Sequence, residues 1–88
     1  MKLNEGYVVK NIVGNMVVIP VGQVLVSGGK NIRLKSEGAF FIKNIVSGKS
    51  EDEIIDLYSD LYSVDLETAK EDYDGFIEYG IKHGFIGN

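Results

Sequence analysis

Few residues in this sequence could perform chemistry. His83 is the only histidine, and there is no cysteine. Without thiolates the chain can form no disulfide, no thiolate nucleophile, no iron–sulfur cluster and none of the usual structural zinc sites. No second histidine stands at a metal-ligand spacing from His83, so we interpret it as a surface residue near a helix C-terminus, where a cation suits the helix dipole. No metal and no cofactor are expected.

Two further motifs have a chemical and a structural interpretation. Glu51-Asp52-Glu53 could supply paired carboxylates for acid–base catalysis, and Gly28-Gly29-Lys30 has the appearance of a phosphate-binding loop. The three acids follow Ser50, and Ser-x-x-Glu is the pattern of a capping box in the first turn of a helix. The glycine run lacks the full Walker spacing and precedes a predicted strand rather than a helix. Both motifs are interpreted as structural, no catalytic residue is predicted, and the chain is expected not to be an enzyme.

Length and charge limit the remaining classes of function. The sequence has 88 residues, 44% of them apolar, and a net charge of −4. One small core is the most that this length supports, so residues 1–88 are predicted to form a single domain. Residues 1–49 contain seven Lys/Arg and two Asp/Glu, whereas residues 50–88 contain two and eleven. The absence of a signal-peptide pattern and of a long apolar run predicts a cytoplasmic protein with no membrane contact.

The part of the chain from about residue 7 to residue 35 has the pattern of short strands joined by turns. Tyr7–Val13 and Met16–Val21 are predicted to form a hairpin closed by a two-residue loop at Gly14-Asn15. Residues 22–29 are predicted to form a loop or an irregular strand. A third strand is predicted over Asn31–Lys35, where apolar and basic residues alternate.

From about residue 37 to residue 84 the apolar period changes from two to about 3.6, which predicts three helices. The predicted N-terminal caps are Ser36, Ser50 and Asp65, and the predicted stops are Gly48 and Gly84. The two apolar residues after the last stop can fold back against the final turn. The predicted fold class is therefore α+β, resembling a winged helix-turn-helix, with three N-terminal antiparallel strands followed by three helices.

Several short motifs, taken in their order and spacing, carry a family resemblance. They are Val17-Val18-Ile19-Pro20-Val21-Gly22, Ile32-Arg33-Leu34, Glu37-Gly38-Ala39-Phe40, Gly48-Lys49-Ser50, Glu53-Ile54-Ile55, Tyr62-Ser63-Val64-Asp65, Ala69-x-x-Asp72 and Gly84-Phe85-Ile86. Over about residues 7–86 the sequence resembles the PqqD-like proteins. These are stand-alone relatives of the peptide chaperone of pyrroloquinoline quinone biosynthesis, also called RiPP recognition elements. Gly80 departs from the family pattern, which has a large apolar residue at this helical position.

The resemblance implies a winged helix-turn-helix protein without catalytic activity or cofactor. Such a protein binds the leader segment of a ribosomally made precursor peptide and presents it to a maturase, commonly a radical S-adenosylmethionine enzyme. The leader is expected to add as a strand beside the third strand, in a groove whose other wall is the third helix.

The strand pattern and the helical phase suggest which residues would line such a groove. An edge strand exposes backbone N–H and C=O groups that can bond to an added peptide, and the basic side chains of the third strand would favour an acidic leader. On the third helix, one flank of the apolar face is predicted to face the peptide, although packing in the core is the alternative for its two apolar members. The predicted peptide-binding residues are Ile32, Arg33, Leu34, Lys35, Lys70, Tyr73, Asp74 and Ile77.

Three alternatives accompany this hypothesis. A winged-helix DNA-binding regulator would share the fold, but from residue 50 onward only Lys70 and Lys82 are basic, against eleven acids. Nucleic acid is therefore not an expected partner, because the docking helix must carry the cations that meet the phosphates. An enzyme with shallow carboxylate chemistry would have little to build on. The exposed strand edge could also pair with its twin in a homodimer.

Overall fold

The computed structural model describes all 88 residues. The strands are β1 (Lys2–Leu3), β2 (Tyr7–Ile12), β3 (Asn15–Pro20), β4 (Ile32–Arg33) and β5 (Ile86–Gly87), and the helices are α1 (Gly22–Val26), α2 (Ser36–Val46), α3 (Glu51–Tyr62) and α4 (Leu66–Lys82). Three antiparallel strands, β2–β4, followed by three helices, α2–α4, confirm the predicted α+β class. β1, α1 and β5 were not predicted. None of the helices combines the length and the hydropathy needed to cross a membrane.

The hairpin of β2 and β3 closes one residue earlier than predicted. Ile12 pairs with Asn15, so the two loop residues are Val13 and Gly14, with φ of 51° and 81°. Positive φ at both positions is the geometry that fits the twist of a two-residue hairpin. The prediction of a Gly14-Asn15 loop is wrong because the side chain of Asn11 accepts the Gly14 N–H, at 3.0 Å, and fixes Gly14 as the second loop residue.

The third strand is shorter than the predicted Asn31–Lys35, because only β4 is paired as a strand. It ends where α2 begins, and the Lys35 carbonyl already accepts the N–H of Ala39, at 2.8 Å. Lys35 is therefore the N-cap of α2, with no side-chain cap bond, and the prediction of Ser36 as the cap is wrong. Residues 22–29, predicted to be a loop or an irregular strand, contain α1.

The other two helix starts follow the sequence prediction. The Ser50 hydroxyl accepts the Glu53 N–H at 3.2 Å, and the Glu53 carboxylate accepts the Ser50 N–H at 2.9 Å, which completes a capping box. The Asp65 carboxylate accepts the Thr68 N–H at 2.7 Å at the start of α4. Glu53 thus caps α3, and Glu51 and Asp52 lie with it in the first helical turn, as the structural interpretation of Glu51-Asp52-Glu53 requires.

The C-terminal segment folds back and completes the core, as predicted. Gly84, with φ of 85°, ends α4, and both Phe85 and Ile86 are buried. Ile86 pairs with Leu3 in a two-stranded sheet, so β5 is tied to β1. A Cβ on Gly80 would lie 2.5–2.9 Å from three carbons of Ile86. Glycine at this position of α4 therefore provides the space that Ile86 fills.

Candidate functional site

The outer edge of β4 carries unpaired backbone groups. The sheet order is β2-β3-β4, so nothing pairs with the far side of β4. Leu34 N–H donates to the Met16 carbonyl at 2.9 Å, which makes Leu34 and Met16 a hydrogen-bonded pair. Because such pairs alternate along an antiparallel ladder, Arg33, opposite Val17, directs its N–H and C=O away from β3. The donor and acceptor offered to a further strand belong to Arg33.

A groove of about 620 Å³ runs between this edge and α4. One wall is formed by β4 and the start of α2, the other by one flank of α4, and aromatic rings from α2, α3 and α4 form the floor. A second cleft of about 510 Å³ shares Arg33, Leu34 and Lys35 with the groove and extends toward the hairpin loop. The lining residues of the groove are Arg33, Leu34, Lys35, Glu37, Gly38, Phe41, Tyr58, Glu71, Asp72, Gly75, Phe76 and Tyr79.

The floor of the groove is formed by packed aromatic rings. The rings of Phe41 and Tyr58 stack with centroids 4.6 Å apart, and Phe76 packs against Phe41 at 5.5 Å. The Tyr58 hydroxyl donates to the Asp72 carboxylate at 2.8 Å, which holds one acid of α4 at the groove. Burial, and then the bond to Asp72, raise the pKa of Tyr58 above its usual range. The hydroxyl therefore remains a donor at neutral pH.

The two walls of the groove have opposite charge. Arg33 and Lys35 lie on the strand side, whereas Glu71 and Asp72 lie on α4, with Glu37 at the start of α2. None of these five side chains forms an ion pair within the protein. The groove thus has a basic side at the strand and an acidic side at the helices, both open to an incoming ligand.

The structure brings only part of the predicted site together. Arg33, Leu34 and Lys35 line the groove, and Ile32 pairs with Val18 and packs against the core. The four residues predicted on α4 lie elsewhere: Tyr73 and Ile77 are buried in the core, and Lys70 binds Asp74 at 3.2 Å and Glu51 of α3 at 3.5 Å. The flank of α4 at the groove is the opposite one.

Five residues of that opposite flank were not predicted to belong to the site. They are Glu71, Asp72, Gly75, Phe76 and Tyr79. Their spacing of three and four places them on one side of the helix, but the same rule places the predicted flank on a helix side equally well. The sequence signal that could have identified the correct flank was Gly75. A glycine in the middle of a long amphipathic helix usually has a packing or functional role.

The remaining chemical candidate, His83, lies at the C-cap of α4. Its ring is 4.3 Å from that of Tyr79, which carries the aromatic surface of the groove toward the end of the helix. No group of three or more His, Asp or Glu side chains is arranged to hold a metal ion.

Comparison with known proteins identifies the fold. No protein-family model and no curated protein matches the sequence. Among solved structures, the chain is similar to TbiB1 in complex with the TbiA(beta) leader peptide, with a TM-score of 0.80 and 23% identity, over 99% of this chain and 100% of that chain. At this identity the similarity establishes a common fold. TbiB1 is bound to a leader peptide in that structure.

Proposed function

With the fold it shares with TbiB1 as the premise, we propose that this domain binds the leader segment of a ribosomally synthesised precursor peptide. The leader adds as a strand to the outer edge of β4 and lies in the groove beside α4. The domain performs no covalent chemistry. It presents the precursor, in the cytoplasm, to a modifying enzyme of the radical S-adenosylmethionine type, whose effective substrate concentration it raises.

The observation that carries this proposal is the position of the Arg33 backbone. An unpaired N–H and C=O at a sheet edge recruit another strand unless they are protected. Here they face a groove rather than a covering loop or helix. A bound strand would complete the ladder, and its alternate side chains would enter the groove between Leu34 and α4.

The composition of the helices supports a peptide rather than DNA as the ligand. α3 and α4 together carry eleven acids, if the N-cap Asp65 is included, and only Lys70 and Lys82 as bases. Lys70 is already paired with Glu51 and Asp74. A helix entering the major groove would meet the phosphates with net negative charge, which opposes binding.

The test is an amide-resolved NMR titration with the leader segment of a small peptide encoded beside the gene. We expect shifts on residues 31–35 and on the groove flank of α4. Salt-dependent shifts with duplex DNA instead would support a regulator. Shifts that depend on protein concentration alone would indicate a homodimer through the β4 edge.

A proline variant isolates the backbone contribution. Arg33→Pro removes an N–H that the protein itself does not use, so the domain should stay folded while its affinity for the leader falls at least about tenfold. Arg33→Ala, which keeps the N–H, is the matched control and should bind far better than the proline variant. Equal affinity of the proline and alanine variants would exclude strand addition at this edge.

A further inference from the structure

Gly75 has no packing role within the protein. It lies in the middle of α4 without a positive φ, and a Cβ placed on it would meet nothing within 4 Å beyond its chain neighbours and the local backbone of α4. Glycine in a helix interior is less favourable than alanine, so Gly75 destabilises α4 and no contact within the protein compensates for it. Its bare backbone faces the groove. The result is a notch in the wall of the groove, which a ligand side chain can enter.

The notch has an aromatic base. Phe76 follows Gly75 on the core side, and Tyr79 lies one turn further along α4 with 40% of its surface exposed. A Cβ on Gly38 would lie 3.1 Å from the Phe76 ring and 3.5 Å from Leu34 Cβ, so these three residues meet at the groove. A side chain that enters from the β4 edge therefore lies along apolar surface before it reaches the helix.

The rim of the notch is acidic. Glu71 and Asp72 precede Gly75 by four and three positions and lie on the same side of α4, with Glu37 on α2. They do not form a metal site. An apolar ligand residue here would take water from carboxylates without replacing the hydrogen bonds that they lose. A side chain with an apolar stem and a cationic head satisfies both the aromatic base and the acidic rim.

We propose that the Gly75 notch selects a lysine or arginine of the bound peptide, with its stem over Gly75 and its head at Glu71 and Asp72. The inference rests on the proposed function, because the register of an added strand delivers this residue. In such a strand the residue opposite Leu34 projects to the same side as Leu34, into the groove. Arg33 and Lys35, on the strand side of the groove, would attract acidic residues of the same leader. The preferred leader therefore carries both acidic and basic residues.

A selection experiment tests the charge preference. Randomised displayed peptides are selected against the wild-type protein, against Glu71→Lys and against Asp56→Lys, which makes the same charge change on α3 outside the groove lining. We expect the wild type and the α3 control to enrich a basic residue at one fixed position, and Glu71→Lys to lose that preference.

The outcomes separate the two proposals. Enrichment of peptides without a fixed basic position, or the same basic preference from Glu71→Lys, overturns the notch assignment and leaves peptide binding standing. If the wild type enriches no peptide, the proposed function fails as well.

A second measurement tests the notch itself. The best selected peptide and its copy with norleucine in place of the basic residue are titrated by fluorescence anisotropy. We expect the wild type to prefer the basic peptide at least about tenfold, the scale of a hydrogen bond to a charged group. Gly75→Leu fills the notch with a better helix former and should abolish that preference while raising Tm. A preference retained by Gly75→Leu overturns the inference.

Discussion

The helix α4 contains two glycines, Gly75 and Gly80, whose surroundings differ. Gly80 faces Ile86, which occupies the space that a side chain would need. Gly75 faces the groove, where nothing beyond its chain neighbours and the local backbone of α4 comes within 4 Å of a Cβ position. The C-terminal part of α4 therefore packs against its own chain at Gly80, whereas the groove flank at Gly75 has no packing partner in the protein. This difference is the basis for the proposal that a ligand occupies the space beside Gly75.

The largest effect on stability should come from adding a side chain at Gly80, because Ile86 occupies the space beside it. Gly80→Ala places a methyl group 2.5–2.9 Å from three carbons of Ile86, which is itself held in β5. We expect a loss of about 2 kcal/mol in the free energy of unfolding, measured in urea, because overpacking outweighs the gain in helix propensity. In an Ile86→Ala background the same substitution should be less harmful. Additive losses would contradict the close-approach explanation.

A smaller loss should follow where the core meets the groove. Tyr58→Phe removes the donor to Asp72 from a side chain that is only 3% exposed, and we expect a loss of about 1.5 kcal/mol. The pKa of Tyr58 is raised by burial and by Asp72, so its contribution to stability is complete below about pH 10 and is lost as pH rises further. The variant should lose less stability than the wild type above pH ~10 in urea titrations. Tyr73, whose pKa is also raised by burial, contributes to the alkaline loss of stability in both proteins, so the difference between them is what reports on Tyr58. The same pH dependence in the wild type and the variant would contradict this assignment.

The open position should respond with the opposite sign. The Gly75→Ala methyl group meets no other part of the protein within 4 Å and improves helix propensity, so the free energy of unfolding should rise by about 0.8 kcal/mol. The same variant should bind a basic leader more weakly than the wild type, which separates the effect on folding from the effect on the ligand. A loss of stability would mean that Gly75 has a packing role after all.

The smallest effect belongs to the flank that faces neither Ile86 nor the groove. Lys70 is half exposed, and hydrogen bonding to Asp74 raises its pKa, as expected for a surface ion pair. Such pairs contribute little, so Lys70→Ala should leave both the midpoint of urea unfolding and the leader affinity close to those of the wild type. A marked fall in affinity would return the site to the flank predicted from sequence.

The features that the sequence predicts correctly depend on residues that are close together in the chain. Ser50 and Glu53 are three positions apart, and their capping box forms as expected. Asp65 caps α4 through a bond of the same span. The hairpin was predicted, but its loop was displaced by one residue, because the side chain of Asn11 rather than the residue type alone decides where it closes.

The groove flank of α4 depends on packing that the sequence does not display. Both flanks of its apolar face have suitable residues, and the choice follows from how α2 and α3 meet α4. Tyr58 of α3 reaches Asp72, and Phe41 of α2 lies 5.5 Å from Phe76, so these contacts turn the Asp72 side of α4 toward β4. On the other flank, Glu51 of α3 forms an ion pair with Lys70. The β4 side of the groove, in contrast, was predictable because strand alternation is local.

The pairing of β1 with β5 has a consequence for the rate of folding. The Asn4 amide donates to the Gly84 carbonyl, 80 positions away in the chain, and the Asn4 N–H donates to Phe85. Closing so long a loop costs conformational entropy before any stabilising contact forms, so we expect Phe85 and Ile86 to pack into the core last during folding. Asn4→Ala, which removes the bond to the Gly84 carbonyl, should therefore raise the unfolding rate and leave the refolding rate close to that of the wild type in stopped-flow experiments. A fall in the refolding rate of similar size would contradict this order of events.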